Sequence, residues 1–305
     1  MQFPLAKTSC HHGFLSVIIP TWNDPQGLET TLKALANQSL PRNLFEVLVV
    51  NDGGDAETSR ICRLFAVLEV VLNPRGGSYA ARNKGIEASL GELVGFIDSN
   101  MLPSPSWCHS GIKALQQAEY CGGLVQTQPS RGNHDDPALL LYQQMTSFPV
   151  ELYLAKDHFV PTANLFVKRK VFESLGLFDS RLESGGDMEL GDRVFRNGKF
   201  RQLYDPDIFA THPTRTYSEL LAKEKRVFAG HGKLASLYPD RFSYMRPTFV
   251  LFFRSLLPPR RLLLSLFRSP ALDLVTRLKI FTLGWAIKMC RGWHVLLAVR
   301  RNLGI

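Results

Sequence analysis

Asp98 closes the apolar run Leu93-Val-Gly-Phe-Ile97, Asp52 closes Phe45-Glu-Val-Leu-Val-Val-Asn51, and Pro20-Thr-Trp-Asn23 closes Leu15-Ser-Val-Ile-Ile19. If these runs are parallel strands, their polar ends converge on the crevice at the carboxyl edge of one sheet, where open α/β sheets bind ligands. A carboxylate there can hold Mg2+ or Mn2+ against a diphosphate, because such ions take one or two carboxylates and complete their shell with phosphate oxygens and water. Asp98 is placed for that role. Arg82 brings a planar guanidinium able to stack on a base and pair with phosphate. Further along, Asp187 follows Gly185-Gly186, a position that also suits a helix N-cap, and His212 lies in Ala210-Thr-His-Pro-Thr-Arg215.

Other chemistries are excluded by what stands at these places. A dinucleotide site needs glycines between the first strand and its helix so that the backbone can approach pyrophosphate; this chain has Thr21-Trp-Asn-Asp-Pro25 there, and it has no P-loop. Cys10, Cys62, Cys108, Cys121 and Cys290 form neither a CxxC pair nor a zinc spacing, and read as reduced thiols of a cytosolic protein. The stretch Met1 to Lys7 lacks the basic and apolar regions of a signal peptide, so catalysis is expected on the cytoplasmic side. Net charge is +9, but eleven of the 36 basic residues and one of the 27 acidic residues fall between Arg246 and Arg301, leaving the first 245 residues nearly neutral. A nucleic-acid binder would carry that charge on its folded reader domain, so no nucleic-acid partner is expected.

The elements that must position these residues alternate as in βαβ units. Strands are expected at 15–20, 45–51, 67–72 and 93–98, with helices at 27–37, 56–65 and 78–90, the last capped by the Ser78 hydroxyl. The middle is less regular: strands at 122–128 and 162–168, a polar loop at 130–137, and helices at 139–147 and 169–175.

Pro20-Thr21, Asn51-Asp52-Gly53, Ala81-Arg-Asn-Lys-Gly85, Asp98-Ser-Asn100 and Gly185-Gly-Asp-Met-Glu-Leu190 occur in an order and spacing that resembles the family 2 glycosyltransferases across 15–233. The resemblance implies a GT-A type α/β fold, a mostly parallel (mixed) sheet flanked by helices, here with a C-terminal helical extension. It implies transfer of a sugar from a nucleotide-diphosphate sugar, UDP-sugar by default, to an acceptor hydroxyl with inversion. Pro20, Thr21, Asn23, Asp52, Arg82, Asp98 and Ser99 would line the nucleotide site, with Asp52 accepting from a uracil N–H, although Asn-Asp-Gly equally suits a turn. Asp98, Asn100 and His212 would hold the metal, Asn100 standing where the family carries a second acid. Asp187 matches the catalytic base, with Glu189 in reserve and Gly186 replacing the family's Glu. The alternatives are a sugar-nucleotide nucleotidyltransferase, whose glycine-rich activation loop is missing at Pro20 to Pro25, and a degenerate nucleotide-sugar-binding module.

The expected division is a catalytic domain over 1–240, with a nucleotide half at about 15–128 and an acceptor half at 129–240, followed by an extension at 241–305. In the extension, cations from Arg254 to Arg300 interrupt every window of the ~20 apolar residues a spanning helix needs. Clusters such as Leu262-Leu-Leu-Ser-Leu-Phe267, with Trp285 and Trp293, predict helices lying on an anionic inner membrane surface beside a lipid-linked or glycan acceptor.

Overall fold

The computed structural model describes residues 11–130 and 136–303. Cys10 and most of the expected polar loop at 130–137 lie outside these residues. The first half alternates as its sequence dictates: β1 (His11–Thr21), α1 (Pro25–Ala36), β2 (Phe45–Asp52), α2 (Ala56–Leu64), β3 (Leu68–Leu72), α3 (Ser78–Ala88) and β4 (Gly91–Ile97). Pairing is parallel between β2 and β3, β1 and β2, and β1 and β4. The register sets Thr21 beside Asn51 and Asp52 beside Leu72, so the strand ends are level along one edge.

The second half reverses direction. After β5 (Leu102–Pro103), α4 (Trp107–Gln117) and β6 (Tyr120–Gln128) come α5 (Pro137–Thr146), α6 (Val150–Asp157), β7 (Asn164–Lys168) and α7 (Arg169–Leu175). Then follow α8 (Gly186–Asn197) and β8 (Gln202–Pro213). Strand β7 runs antiparallel to β4 and to β6, and β5 antiparallel to β8, within one eight-stranded mixed sheet ordered β3-β2-β1-β4-β7-β6-β8-β5. The α/β fold with a mixed sheet flanked by helices is therefore present.

The central strands β1, β2 and β4 bury both faces, as crossover helices require. Val17 and Ile19 of β1 join Leu28, Leu32 and Leu35 of α1 in one core. Ile18 points the other way, and Gly85 of α3 lets that helix close on the sheet: a Cβ there would lie 2.4 Å from the Ile18 side chain. Buried Arg169 ties the layers by donating to the carbonyls of Ile86, Ser89 and Gly91.

Residues 213–303 add α9 (Tyr217–Leu237), α10 (Pro239–Phe242), α11 (Phe249–Leu256), α12 (Arg260–Phe267) and α13 (Leu274–Leu303). By contacts the chain forms two compact units, one of 1–126 with 148–212 and the other of 127–147 with 213–305. Helices α5 and α9, which a boundary near 240 assigns to the catalytic span, thus group with the C-terminal helices. Among the described residues no helix is long and apolar enough to cross a membrane.

Candidate active site

The whole candidate site lies in the first unit. At its floor, the carboxylate of Asp52, buried at the end of β2, accepts from the amides of Gly76 at 2.7 Å and Gly77 at 2.9 Å. This corrects the expected capping of α3. Gly77, at φ +87°, is the cap residue and Ser78 is the first helical residue, so the helix start is fixed from β2 rather than by its own serine. Asn51 supports the turn by bonding Asp55 and Glu69. Above Asp52, Arg75 places its guanidinium 3.6 Å over the half-exposed ring of Trp22, a cation–π contact that builds a flat, positively charged lip.

The loop after β1 is set by Asn23 in the left-handed region, φ +50°, which Asn tolerates well. It delivers Asp24 to the start of α1, where its carboxylate accepts from Gly27 N–H and from the Ser99 hydroxyl at 3.0 Å each. Burial pushes the Asp24 carboxyl up, opposed by those two bonds. Thr31 of α1 donates to the carbonyls of Ser99 and Met101. The segment carrying Asp98, Ser99 and Asn100 is therefore clamped to α1. Thr21 beside it is 3% exposed, and its hydroxyl has no hydrogen-bond partner among the described residues. Pro20, one residue earlier in β1, is half-buried.

Arg82, one turn into α3, is buried and donates from Nη2 to Asp98 Oδ1 at 2.6 Å, while its Nε has no partner among the described residues. Asp98 remains 38% exposed, so this ion pair has one sunken and one accessible member. Asn83 docks the 176–182 loop through a reciprocal pair of bonds with Phe178, whereas Lys84 only pairs with Glu87 on the surface.

Across from this pair stands the first turn of α8. Asp187 Oδ1 accepts from the Tyr79 hydroxyl at 3.1 Å, and that hydroxyl in turn accepts from Asp187 N–H at 3.3 Å. Burial pushes the Asp187 carboxyl up, opposed by the positive charge of Arg82 and the Tyr79 bond. The helix is capped at Gly185, so Asp187 is not the N-cap. Gly186 is explained by Tyr79 as well: a Cβ at 186 would lie 2.8 Å from the tyrosine ring, and the ring occupies the space a larger residue would need.

Glu189 does not share the cleft. It is 1% exposed, both its oxygens accept from Arg193, and Arg193 also binds the carbonyls of Gly176 and Leu177. In this geometry the expected reserve base is paired with an arginine that holds the 175–177 carbonyls. His212 is buried and packs on Phe148 at 5.3 Å, one residue beyond the Leu102–Thr211 pair and so beside the loop that carries Asp98.

Among the described residues no cluster of three His, Cys, Asp or Glu side chains could hold a metal alone. The donor set of one half-exposed carboxylate, Asp98, and one amide, Asn100, fits a cation that completes its shell with ligand diphosphate and water rather than a protein cage. Trp22, Asp24, Arg75 and Tyr79 contact or adjoin the candidate residues, although pattern reading assigned them no role. Asp24-Pro25 carried a helix-start signal; Tyr79 carried none, because its partner lies 108 residues away.

Comparison with known proteins agrees with this architecture. The model of glycosyl transferase family 2 matches residues 16–176. Glycosyltransferase AglE of Haloferax volcanii is 34% identical over 241 residues, covering 76% of this chain and 77% of that protein. A mannosyltransferase of Pyrobaculum calidifontis, PcManGT, solved with GDP-Man and Mn2+, superposes with a TM-score of 0.58 at 18% identity over 96% of this chain and 89% of that one. Residues 1–349 of S. aureus TarS, solved with UDP-GlcNAc, give 0.52 at 16% identity over 90% of each chain.

Proposed function

The chain belongs to the family 2 glycosyltransferases, and from that premise we propose that it transfers a sugar from a UDP-sugar to an acceptor hydroxyl by a single inverting displacement. The observation that carries this reading is the placement of Asp187, a half-buried carboxyl with raised proton affinity, joined through Tyr79 to the helix that bears Arg82, which in turn holds Asp98.

Asp187 takes the proton of the acceptor hydroxyl while that oxygen bonds to the anomeric carbon. The bond from that carbon to the donor diphosphate breaks, and the nucleoside diphosphate leaves. A raised proton affinity makes the ionised Asp187 a better base. Arg82 is positioned to pair with phosphate, and its unpartnered Nε is a donor in need of an acceptor. The indole of Trp22 with Arg75, together with Thr21, Asn23 and Pro20, forms the base and ribose wall. Each oxygen of Asp52 has a second lone pair, so the group can accept a uracil N–H while it holds Gly76 and Gly77. Ser99 keeps the Asp98 loop in register through Asp24. Asp98 and Asn100, with His212 beside their loop, would hold a Mg2+ or Mn2+ ion, which supplies neutralisation of the leaving diphosphate. PcManGT was solved with Mn2+ and GDP-Man and TarS with UDP-GlcNAc, which supports a nucleotide-sugar donor with a cation.

The acceptor is a hydroxyl of a glycan or lipid-linked glycan, in envelope polysaccharide or glycolipid synthesis on the cytoplasmic side of a membrane. Thermal melting with UDP-, GDP- and dTDP-sugars, each with and without Mn2+, tests the donor. A donor at 100 times its Kd stabilises by about 2.7 kcal/mol. Stabilisation by a UDP-sugar that EDTA removes, and that Asn100→Asp strengthens, is expected. Full stabilisation and turnover in EDTA would reject the metal-assisted mechanism.

A further inference from the structure

The second unit presents a surface that its own packing does not explain. Its inward faces are accounted for: Leu262 and Leu266 of α12 and Ile280 of α13 pack with Ala138 of α5, and Ile287 packs with Leu139 and Leu220. Several cations are consumed internally as well. Arg291 pairs with Glu224, Lys288 donates to the Leu257 carbonyl, and Arg277 to that of Ser269. Trp285 is likewise spent on the Leu256 carbonyl at the end of α11.

The outward faces remain. Thirteen of the 23 exposed large apolar side chains among the described residues fall between 244 and 293. Val250 and Phe253 on α11, Leu264 and Phe267 on α12, and Leu274 and Leu278 on α13 are each more than half exposed. On each helix they share a face at spacings of three or four, interleaved with exposed Arg254, Arg260, Arg261, Arg268 and Lys279. Protruding apolar side chains at this density mark a binding surface rather than ordinary scatter.

We infer that the outward faces of α11, α12 and the first turns of α13 seat on a lipid surface carrying anionic headgroups. The charge selects the occupant. From Arg246 to Arg301 the chain holds eleven basic residues and one acid, so a second copy would set like charge against like. An anionic bilayer takes Phe and Leu into the boundary below its headgroups while each Arg or Lys meets a phosphate. This inference is independent of the sugar-transfer reading, and its test reads no turnover.

Flotation of the full chain with vesicles of phosphatidylcholine alone, or of an equimolar phosphatidylcholine–phosphatidylglycerol mixture, at low and high salt decides it. Binding to the mixed vesicles at low salt is expected, falling at least about tenfold at high salt and in phosphatidylcholine alone. Phe253→Glu with Phe267→Glu should remove it, whereas Leu64→Glu, equally exposed on α2, should not. Should the double glutamate variant fail to fold, Arg260→Gln with Arg261→Gln tests the charge alone and should cost about tenfold or more. Absence of flotation in the unaltered chain overturns the inference, as does equal flotation of all variants. A dimer in sedimentation that the double variant dissolves, with no flotation, would assign the face to a second copy instead.

Discussion

The strand ends of the parallel half and the first turn of α8 use the same chemical group to different ends. At the strand ends, Asp52 is tied to two backbone amides and Asp98 to the buried guanidinium of Arg82. These carboxylates are committed to N–H donors, and through them they shape a loop and anchor a cation-bearing helix. On α8, Asp187 accepts from a tyrosine hydroxyl and the next residue's amide, and burial outweighs these bonds and the charge of Arg82, raising its proton affinity. A carboxylate held by strong donors organises a site, whereas one left short of them can accept a proton. Glu189, two residues beyond Asp187, falls in the first group although it shares the helix of the second.

The largest expected effect that would break this contrast is on turnover. Asp187→Asn should lower kcat by ~10²–10⁴-fold with donor binding kept. The same variant should be more stable than the parent at neutral pH. The native state binds the Asp187 proton more tightly than the unfolded chain does, so the ionised group costs stability once pH exceeds the ordinary carboxylate value of ~3.9. The gain should shrink as pH falls towards that value. Normal turnover, or a lowered melting temperature at neutral pH with a gain at acid pH, would remove Asp187 from the role.

Glu189→Gln should show the reverse pattern. Removing the charge leaves Arg193 facing a neutral partner in a buried site, where breaking an ion pair costs about 3–5 kcal/mol. Denaturant unfolding should record that loss, while activity per folded molecule stays near the parent's. An intact fold with abolished turnover would instead return Glu189 to the reaction.

The smallest effect sharpens the comparison. Tyr79→Phe deletes the hydroxyl that donates to Asp187 Oδ1 and so removes a stabiliser of the ionised form. The Asp187 carboxyl should move further up, and the acid limb of the kcat profile should shift to higher pH while the plateau changes little. An unshifted acid limb would mean that Tyr79 only packs.

The placement of the strand-end residues was determined by sequence alone because its logic is local. The alternation of apolar runs and helical stretches, and polar residues placed directly at the run ends, mark Thr21, Asp52 and Asp98 as neighbours once the strands are parallel, and the observed register aligns those ends. The absence of an uninterrupted apolar span was equally local, and no described helix is long and apolar enough to cross a membrane. What only the tertiary structure decided depends on contacts across long stretches of chain. Asp187 and Glu189 are both acidic and two places apart, and only the fold gives them different partners, the Tyr79 hydroxyl for Asp187 and the Arg193 guanidinium for Glu189. Gly186 has no reason in its own neighbourhood, and acquires one only when the ring of Tyr79 fills the space beside it. In the C-terminal helices, pattern placed apolar and basic residues together, but which of them face inward was settled by α5 and α9, because burial is a property of the partner surface and not of the helix that carries the side chain.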